Sequence, residues 1–403
     1  MRAVICGGGI AGLTTALCLT ARGWDAVVLE QAPKITEVGA GIQLSPNGFR
    51  VLAALGLGDE VRRVSYEPEI IEMRMGVSGR RLMSIPMKAI ANDRWGAPYL
   101  QVHRADLIDV LRNALIAKSP GAVQTGTTVT GYRQSDNRVC AATNHGEIEG
   151  DLLIGADGIH SAVRTTMLGA EKPRFTGNVA WRAVVPRDQI HNIDNPPGAC
   201  IWAGEGRHAV TYPLRRGELI NFVGIVEHDA WRSESWTALG RREDATADFS
   251  GWHPLIQVLI ERADAHFRWA LHDRAPLARW SEGNAVLVGD ACHPMLPSLA
   301  QGACQAMEDA WVLADTVTNA DDIPPALRTY EKARKDRVTR IQRGAAANAR
   351  LFHKRGALAQ AIAYAPIAIA SRVAPGVIHG RNDWIYRHDV TAGAAHRGAG
   401  VSN

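Results

Sequence analysis

The 403 residues are too many for one ordinary core and fit two or three domains. Hydrophobic residues make up 46% and charged residues 21%, with no low-complexity tract, so the chain reads as globular rather than disordered. Lys plus Arg is 45 against 41 Asp plus Glu; the net +4 is scattered as ordinary surface charge, and without a dense basic stripe it argues against nucleic-acid binding.

In chain order, an apolar run over 2–6 reads as a strand, with glycines following at once. Helical periodicity over 10–22 puts Leu13, Ala16 and Leu17 on one face, Gly23 stops it, and 26–29 forms a second strand, a β-α-β unit of about 30 residues. A helix is expected over 107–117 and a buried strand over 151–155. From 181 to 271 the pattern alternates, as in 208–212 and 219–223, which predicts an antiparallel sheet; seven of the eleven tryptophans lie between Trp181 and Trp280 and should be buried with it. A strand is expected over 285–288, a helix over 302–316 and a mostly helical chain after 323, on which Arg337 and Arg340 share a solvated face.

Cys6, Cys18, Cys140, Cys200, Cys292 and Cys304 form no C-x-x-C pair, so no metal site is expected, and isolated cysteines point to a cytoplasmic setting. A strand beginning at Arg2 leaves no room for a signal peptide. The apolar stretch 357–370 contains Gln360 and Pro366, is too short to span a bilayer, and is expected to pack as a helix on the body.

The chemistry concentrates in three glycine-bearing turns. Gly7-Gly8-Gly9-Ile10-Ala11-Gly12 is followed by Glu30 at the end of the second strand. Gly7 permits the tight turn, Gly9 lets the backbone approach a pyrophosphate, and Gly12 lets the helix pack on the strand; the helix N-terminus offers N–H groups to phosphate, and Glu30 can accept from ribose hydroxyls. The second turn, at Asp157-Gly158, and the third, at Gly289-Asp290 with a Pro-rich loop leading to Gln301-Gly302-Ala303, follow further strands. Asp290 can hold a polyol chain and the helix starting near Gly302 can stabilise negative charge, although each turn alone is equally well an ordinary helix cap.

The ordered set of these turns with His103-Arg104-Ala105-Asp106 resembles the single-component (group A) FAD-dependent aromatic hydroxylases, in the salicylate hydroxylase and 3-hydroxybenzoate 6-hydroxylase branch. Gly39-Ala40-Gly41-Ile42-Gln43, Ser250-Gly251-Trp252-His253-Pro254, Asp273-Arg274-Ala275-Pro276 and Cys292-His293-Pro294-Met295-Leu296-Pro297 carry the resemblance from residue 2 to about 352. It implies an α/β fold: a glutathione-reductase-like Rossmann FAD domain (1–70, 100–175, 272–320), an inserted, mostly antiparallel substrate sheet (71–99, 176–271) and a C-terminal helical segment (321–403). It also implies FAD as cofactor, NADH or NADPH as a visiting electron donor, and hydroxylation of a small phenolic acid by O2 through a flavin C4a-hydroperoxide. Arg104 matches the arginine beside the flavin diphosphate, Asp290 the ribityl ligand, Pro297, Gly302 and Ala303 the loop beside the isoalloxazine, and Asp157 the segment tied to FAD and the nicotinamide donor. Ile10, Ala11, Gln31, Gln43 and Val129 join them as expected cofactor contacts.

A phenol is activated by losing its proton, so a base is wanted near the substrate. On the strand 207–213, His208 and Tyr212 share a face; in the resembling hydroxylases the histidine and tyrosine of this strand face the substrate, making His208 the first candidate base and Tyr212 the second. Ser298 is a candidate substrate contact, and His103 and His293 are expected to be structural. Gln43 stands where 6-hydroxynicotinate 3-monooxygenases carry a histidine, which argues against that activity; Pro297-Ser298-Leu299 departs from the glutamine and tyrosine of the 3-hydroxybenzoate 6-hydroxylases, which argues against that exact substrate. The rival readings are an FAD-dependent reductase or dehydrogenase and a non-catalytic FAD-binding protein. Oligomeric state is left open, a homodimer among the options.

Overall fold

Arg2–Cys6 is a strand because its apolar side chains are buried on both faces, as a central parallel strand requires. Asp25–Glu30 and Leu152–Gly155 flank it in parallel. Val123–Thr125 and Ala285–Leu287 extend the sheet, and Ser281–Glu282 closes it as an antiparallel sixth strand. The helices Ile10–Thr20 and Gly302–Thr318 pack together over this sheet. The computed structural model describes residues 1–35, 41–135, 138–190, 193–228 and 239–395.

A second sheet has seven strands in the order Phe267–Asp273, Arg174–Pro186, Leu219–Glu227, Arg207–Leu214, Gly198–Gly204, Ile70–Met75 and Arg81–Ile85. Every pairing is antiparallel except that of Gly198–Gly204 with Ile70–Met75. The period-two alternation sends Trp181, Trp202 and Phe222 to one face, against Phe249, Trp252 and the helix Pro254–Arg262. Arg182, His208, Val210, Tyr212 and Val223 fall on the other face, where they line a cavity against the first sheet's loops. Trp181, Trp202, Trp252 and Trp269 are buried against this sheet as expected, whereas Trp280 is buried in the core of the first sheet beside Tyr330; Trp231 and Trp236 lie outside the described residues.

Among the described residues, 323–395 are mostly helical: Ile323–Phe352, Ala357–Val373 and three shorter helices. One expectation for it needs correction. Arg337 leaves the solvated face expected for it, making two 2.8 Å bonds to the buried Glu308, whereas Arg340 stays exposed as expected and stacks 3.8 Å over Trp384. The helix containing 357–370 packs on the body through a narrow stripe only; Tyr364 is buried, but Leu358, Ile362 and Ile369 stay exposed because no described element covers that side.

Candidate functional site

The glycine turn is built by contact. Gly7 holds φ at +109°, and a Cβ there would fall 2.4 Å from the Ala156 carbonyl oxygen. A Cβ on Gly12 would fall 1.9 Å from the Gly7 oxygen, so the helix rests directly on the turn. A Cβ on Gly9 would meet no protein atom within 4 Å and would project into open space. Glu30 is already engaged: its oxygens accept from the backbone N–H groups of Gly8 (2.7 Å) and Ala32 (2.8 Å), which shape the turn while leaving each oxygen a second lone pair for a ribose hydroxyl.

A cavity of about 430 Å³ runs from this turn to the seven-stranded sheet. It brings together Gly9, Ile10, Ala11, Gln43, Arg104 and Asp290, then Pro297, Ser298, Gly302 and Ala303, with His208 and Tyr212 at the sheet. Gly7, Gly12, Glu30, Gln31, Val129 and Asp157 do not line it. Asp157 instead caps the helix Ala162–Leu168, accepting from the Ala162 and Val163 N–H groups at 2.8 and 3.2 Å, while its neighbours Ala156 and Gly158 face the cavity. Burial pushes the Asp157 carboxyl above its ordinary range.

Asp290 lines the cavity and is exposed to it. Its enclosure by protein raises its carboxyl above the usual range, against the pull of His293 and Arg104. A carboxylate in that setting wants hydroxyl donors, which a ribityl chain supplies. A Cβ on Gly302 would meet no protein atom within 4 Å, so the N-terminus of the 17-residue helix stands clear for a ligand. The residues present therefore fit FAD.

His293 belongs to the support beneath. Its Nε2 lies 2.5 Å from Asp309, in a buried network where Arg334 joins Asp309 and Glu308. His103 precedes the helix Arg104–Lys118, and Asp106 of the same motif takes two 2.9 Å bonds from Arg215, tying that helix to the loop after the His208 strand.

The two candidate bases are placed differently. The Tyr212 hydroxyl donates to the Gly41 carbonyl at 2.6 Å and burial raises its pKa, so it keeps its proton. His208 is buried, and burial first and His353 second push its pKa well below the ordinary value, so the ring is neutral and keeps a lone pair that can accept a hydrogen bond. Tyr212→Phe should therefore cost about 1 kcal/mol of stability in denaturant unfolding and leave turnover within about threefold; a hundredfold turnover loss would make the hydroxyl a reacting group.

Several cavity residues carry no motif. Tyr99 donates to Gln43 at 2.5 Å; Arg182 lies 4.5 Å over Trp269; His379, Arg381 and Tyr386 come from the C-terminal segment. The sole sequence hint for the last group is a polar and aromatic cluster, 380–388, after a long apolar stretch.

The family model described as FAD binding domain matches residues 1–345. The chain belongs to the FAD-binding domain family. It is 40% identical over 354 residues, 87% of this chain and 88% of the other, to 3-amino-4-hydroxybenzoate 2-monooxygenase PtnB3 of Streptomyces platensis. It is 38% identical over 360 residues, 88% of each chain, to 3-hydroxybenzoate 6-hydroxylase of Polaromonas naphthalenivorans. Klebsiella pneumoniae HpxO, solved with FAD and uric acid, superposes with a TM-score of 0.83 at 31% identity, covering 95% of this chain and 96% of that one. These FAD-binding relatives agree with the fold, the cofactor and the hydroxylase resemblance read from the sequence.

Proposed function

We propose that this protein hydroxylates a small phenolic acid of the hydroxybenzoate class, with NADH or NADPH as electron donor and O2 as oxidant. The observation that carries the reading is His208: a neutral imidazole in the same enclosed cavity as Asp290 and Gly302, at the face where a substrate would meet FAD. Gly9, Arg104, Asp290, Gly302 and Ala303 would hold FAD, which when bound supplies the oxygen-activating redox chemistry.

His208 accepts the substrate hydroxyl proton, and the resulting phenolate carries more electron density into the ring that is to be oxygenated. Apolar walls that include Met73, Val223, Trp269 and Leu296 keep water out. Arg182 offers a cation to a carboxylate on the ring, and Ser298 a hydroxyl.

A panel of hydroxybenzoates, scored for stimulated NADH oxidation and for product, tests the reading. If no phenolic acid stimulates flavin reduction, the substrate class is wrong; turnover that continues without oxygen would instead indicate a dehydrogenase. Arg182→Met should raise KM for carboxylate-bearing substrates by at least about tenfold and leave phenols without a carboxylate unchanged. Equal effects on both kinds of substrate would remove Arg182 from that role.

A further inference from the structure

His208 does not end in the protein interior. Its Nδ1 lies 2.6 Å from Nε2 of His353, and Nδ1 of His353 lies 3.0 Å from a carboxylate oxygen of Glu227. His208 and His353 are buried, whereas the Glu227 side chain is 37% exposed. The three residues thus form an unbroken line from the cavity to the surface. They are brought together from separate elements: His208 from the strand Arg207–Leu214, Glu227 from the end of the neighbouring strand Leu219–Glu227, and His353 from the C-terminus of the helix Ile323–Phe352.

The carboxylate fixes the protons along this line. Glu227 accepts only, so His353 carries its proton on Nδ1 and presents a lone pair at Nε2. His208 then donates to it from Nδ1, which leaves the lone pair of His208 on Nε2, the nitrogen available to the cavity that His208 lines. Arg355 pairs with Glu227 and keeps it ionised; Glu205, bound to the Gly356 N–H, is the nearby second carboxylate. The other neighbours of His208 are apolar: Phe352 at 5.2 Å between rings, and Ala203 and Ile225 on the flanking strands.

We propose that His353 and Glu227 form a proton relay that carries the substrate hydroxyl proton from His208 to solvent. The inference rests on the reading of His208 as proton acceptor. The substrate O–H breaks as His208 Nε2–H forms; His208 Nδ1–H passes to His353 Nε2; His353 Nδ1–H passes to Glu227, which releases the proton to water. The net change is a phenolate in the cavity, one proton outside and both imidazoles in the opposite tautomer, which rotation of the rings or return of protons along the same line restores before the next cycle. A lone buried imidazole would have to keep that proton as an uncompensated charge, and the relay removes it. His353 and Glu227 touch no substrate and are positioning residues.

The FAD-loaded variants His208→Gln, His353→Gln and Glu227→Gln test this with a hydroxybenzoate that turns over and its fluorinated, more acidic analogue. His208→Gln and His353→Gln should each lower kcat at neutral pH by about 100-fold with KM within about threefold, and Glu227→Gln by about tenfold. The deficit should shrink to under about fivefold with the acidic analogue, or as pH rises toward about 10, where a phenol ionises unaided. A merely structural role would lower kcat equally for both substrates and at every pH. If His208→Gln shows the rescuable deficit while Glu227→Gln and His353→Gln match the parent, the relay is overturned and the reading of His208 stands. If His208→Gln also matches the parent, that reading falls and takes the relay with it. Should His353→Gln fail to retain FAD, Glu227→Gln alone decides: a rescuable deficit supports the relay and a parental profile overturns it.

Discussion

Replacing Gly12 by alanine should give a folded protein that does not hold FAD. The new Cβ would sit 1.9 Å from the Gly7 carbonyl oxygen and 3.3 Å from Ile5, and backbone cannot rotate out of the way as a side-chain tip would. The helix Ile10–Thr20 must lift from the turn, carrying with it the N–H groups that would face a pyrophosphate. FAD affinity should fall at least about 100-fold, about 2.7 kcal/mol, with loss of NADH-driven turnover. Gly9→Ala is the informative partner, because its Cβ meets no protein atom within 4 Å. It should leave the melting temperature of the FAD-free protein unchanged and weaken FAD binding alone, whereas Gly12→Ala should lower that temperature as well. FAD titration by fluorescence quenching and thermal melts of the apoproteins separate the two. Unaltered FAD affinity in both variants would mean that the turn is not the anchor.

That turn was legible because its information is local: strand, glycines, helix and acidic strand end lie within thirty residues. The sheet that carries His208 was legible in its middle, where alternation sorts tryptophans from cavity residues. Its far edge came through the family resemblance alone, which put 71–99 with this sheet, since Ile70–Met75 joins by a parallel pairing with Gly198–Gly204 that no periodicity reports. Charge was harder still. Arg337 sits in a helix rich in Lys and Arg, and helical spacing cannot show that Glu308 on the facing helix is buried against it. His353 lies 145 residues from His208, so their contact is a property of the fold alone. The three glycine turns converge through pairings of the first sheet, but the cavity residues of the C-terminal segment arrive by packing and left little trace in composition.

The other large effect expected is from Arg334→Met. Arg334 is fully buried and holds two carboxylates at once, Glu308 at 2.5 Å and Asp309 at 2.9 Å, with Gln305 at 2.7 Å. Removing it leaves two buried carboxylates on one helix, with the Arg337 guanidinium on Glu308 and the His293 ring on Asp309 as remaining partners, and breaking such a pair costs about 3–5 kcal/mol. The loss should reach the cofactor. Asp309 accepts from the Gly289 N–H at 3.1 Å and fixes His293, the residues on either side of Asp290, and Glu308 is bonded to Asn47, which in turn holds Gln301 next to Gly302. Denaturant midpoints and FAD retention should therefore fall together, and the triple change Arg334→Met, Glu308→Gln, Asp309→Asn should recover part of the stability by removing the stranded charges. The acid limb adds an independent check. Although burial alone would raise it, Arg334 and Arg337 hold the Glu308 carboxyl down to about 2. Its value in the unfolded chain is about 4.3, so the folded state gains stability above that pH and loses it as the pH falls toward 2. In Arg334→Met the folded value moves up toward the unfolded one, and the stability lost between about pH 5 and pH 3 should be smaller than in the parent protein. A cost below about 1 kcal/mol at neutral pH, with an acid limb like the parent's, would show that the flavin loop is held by something other than this network.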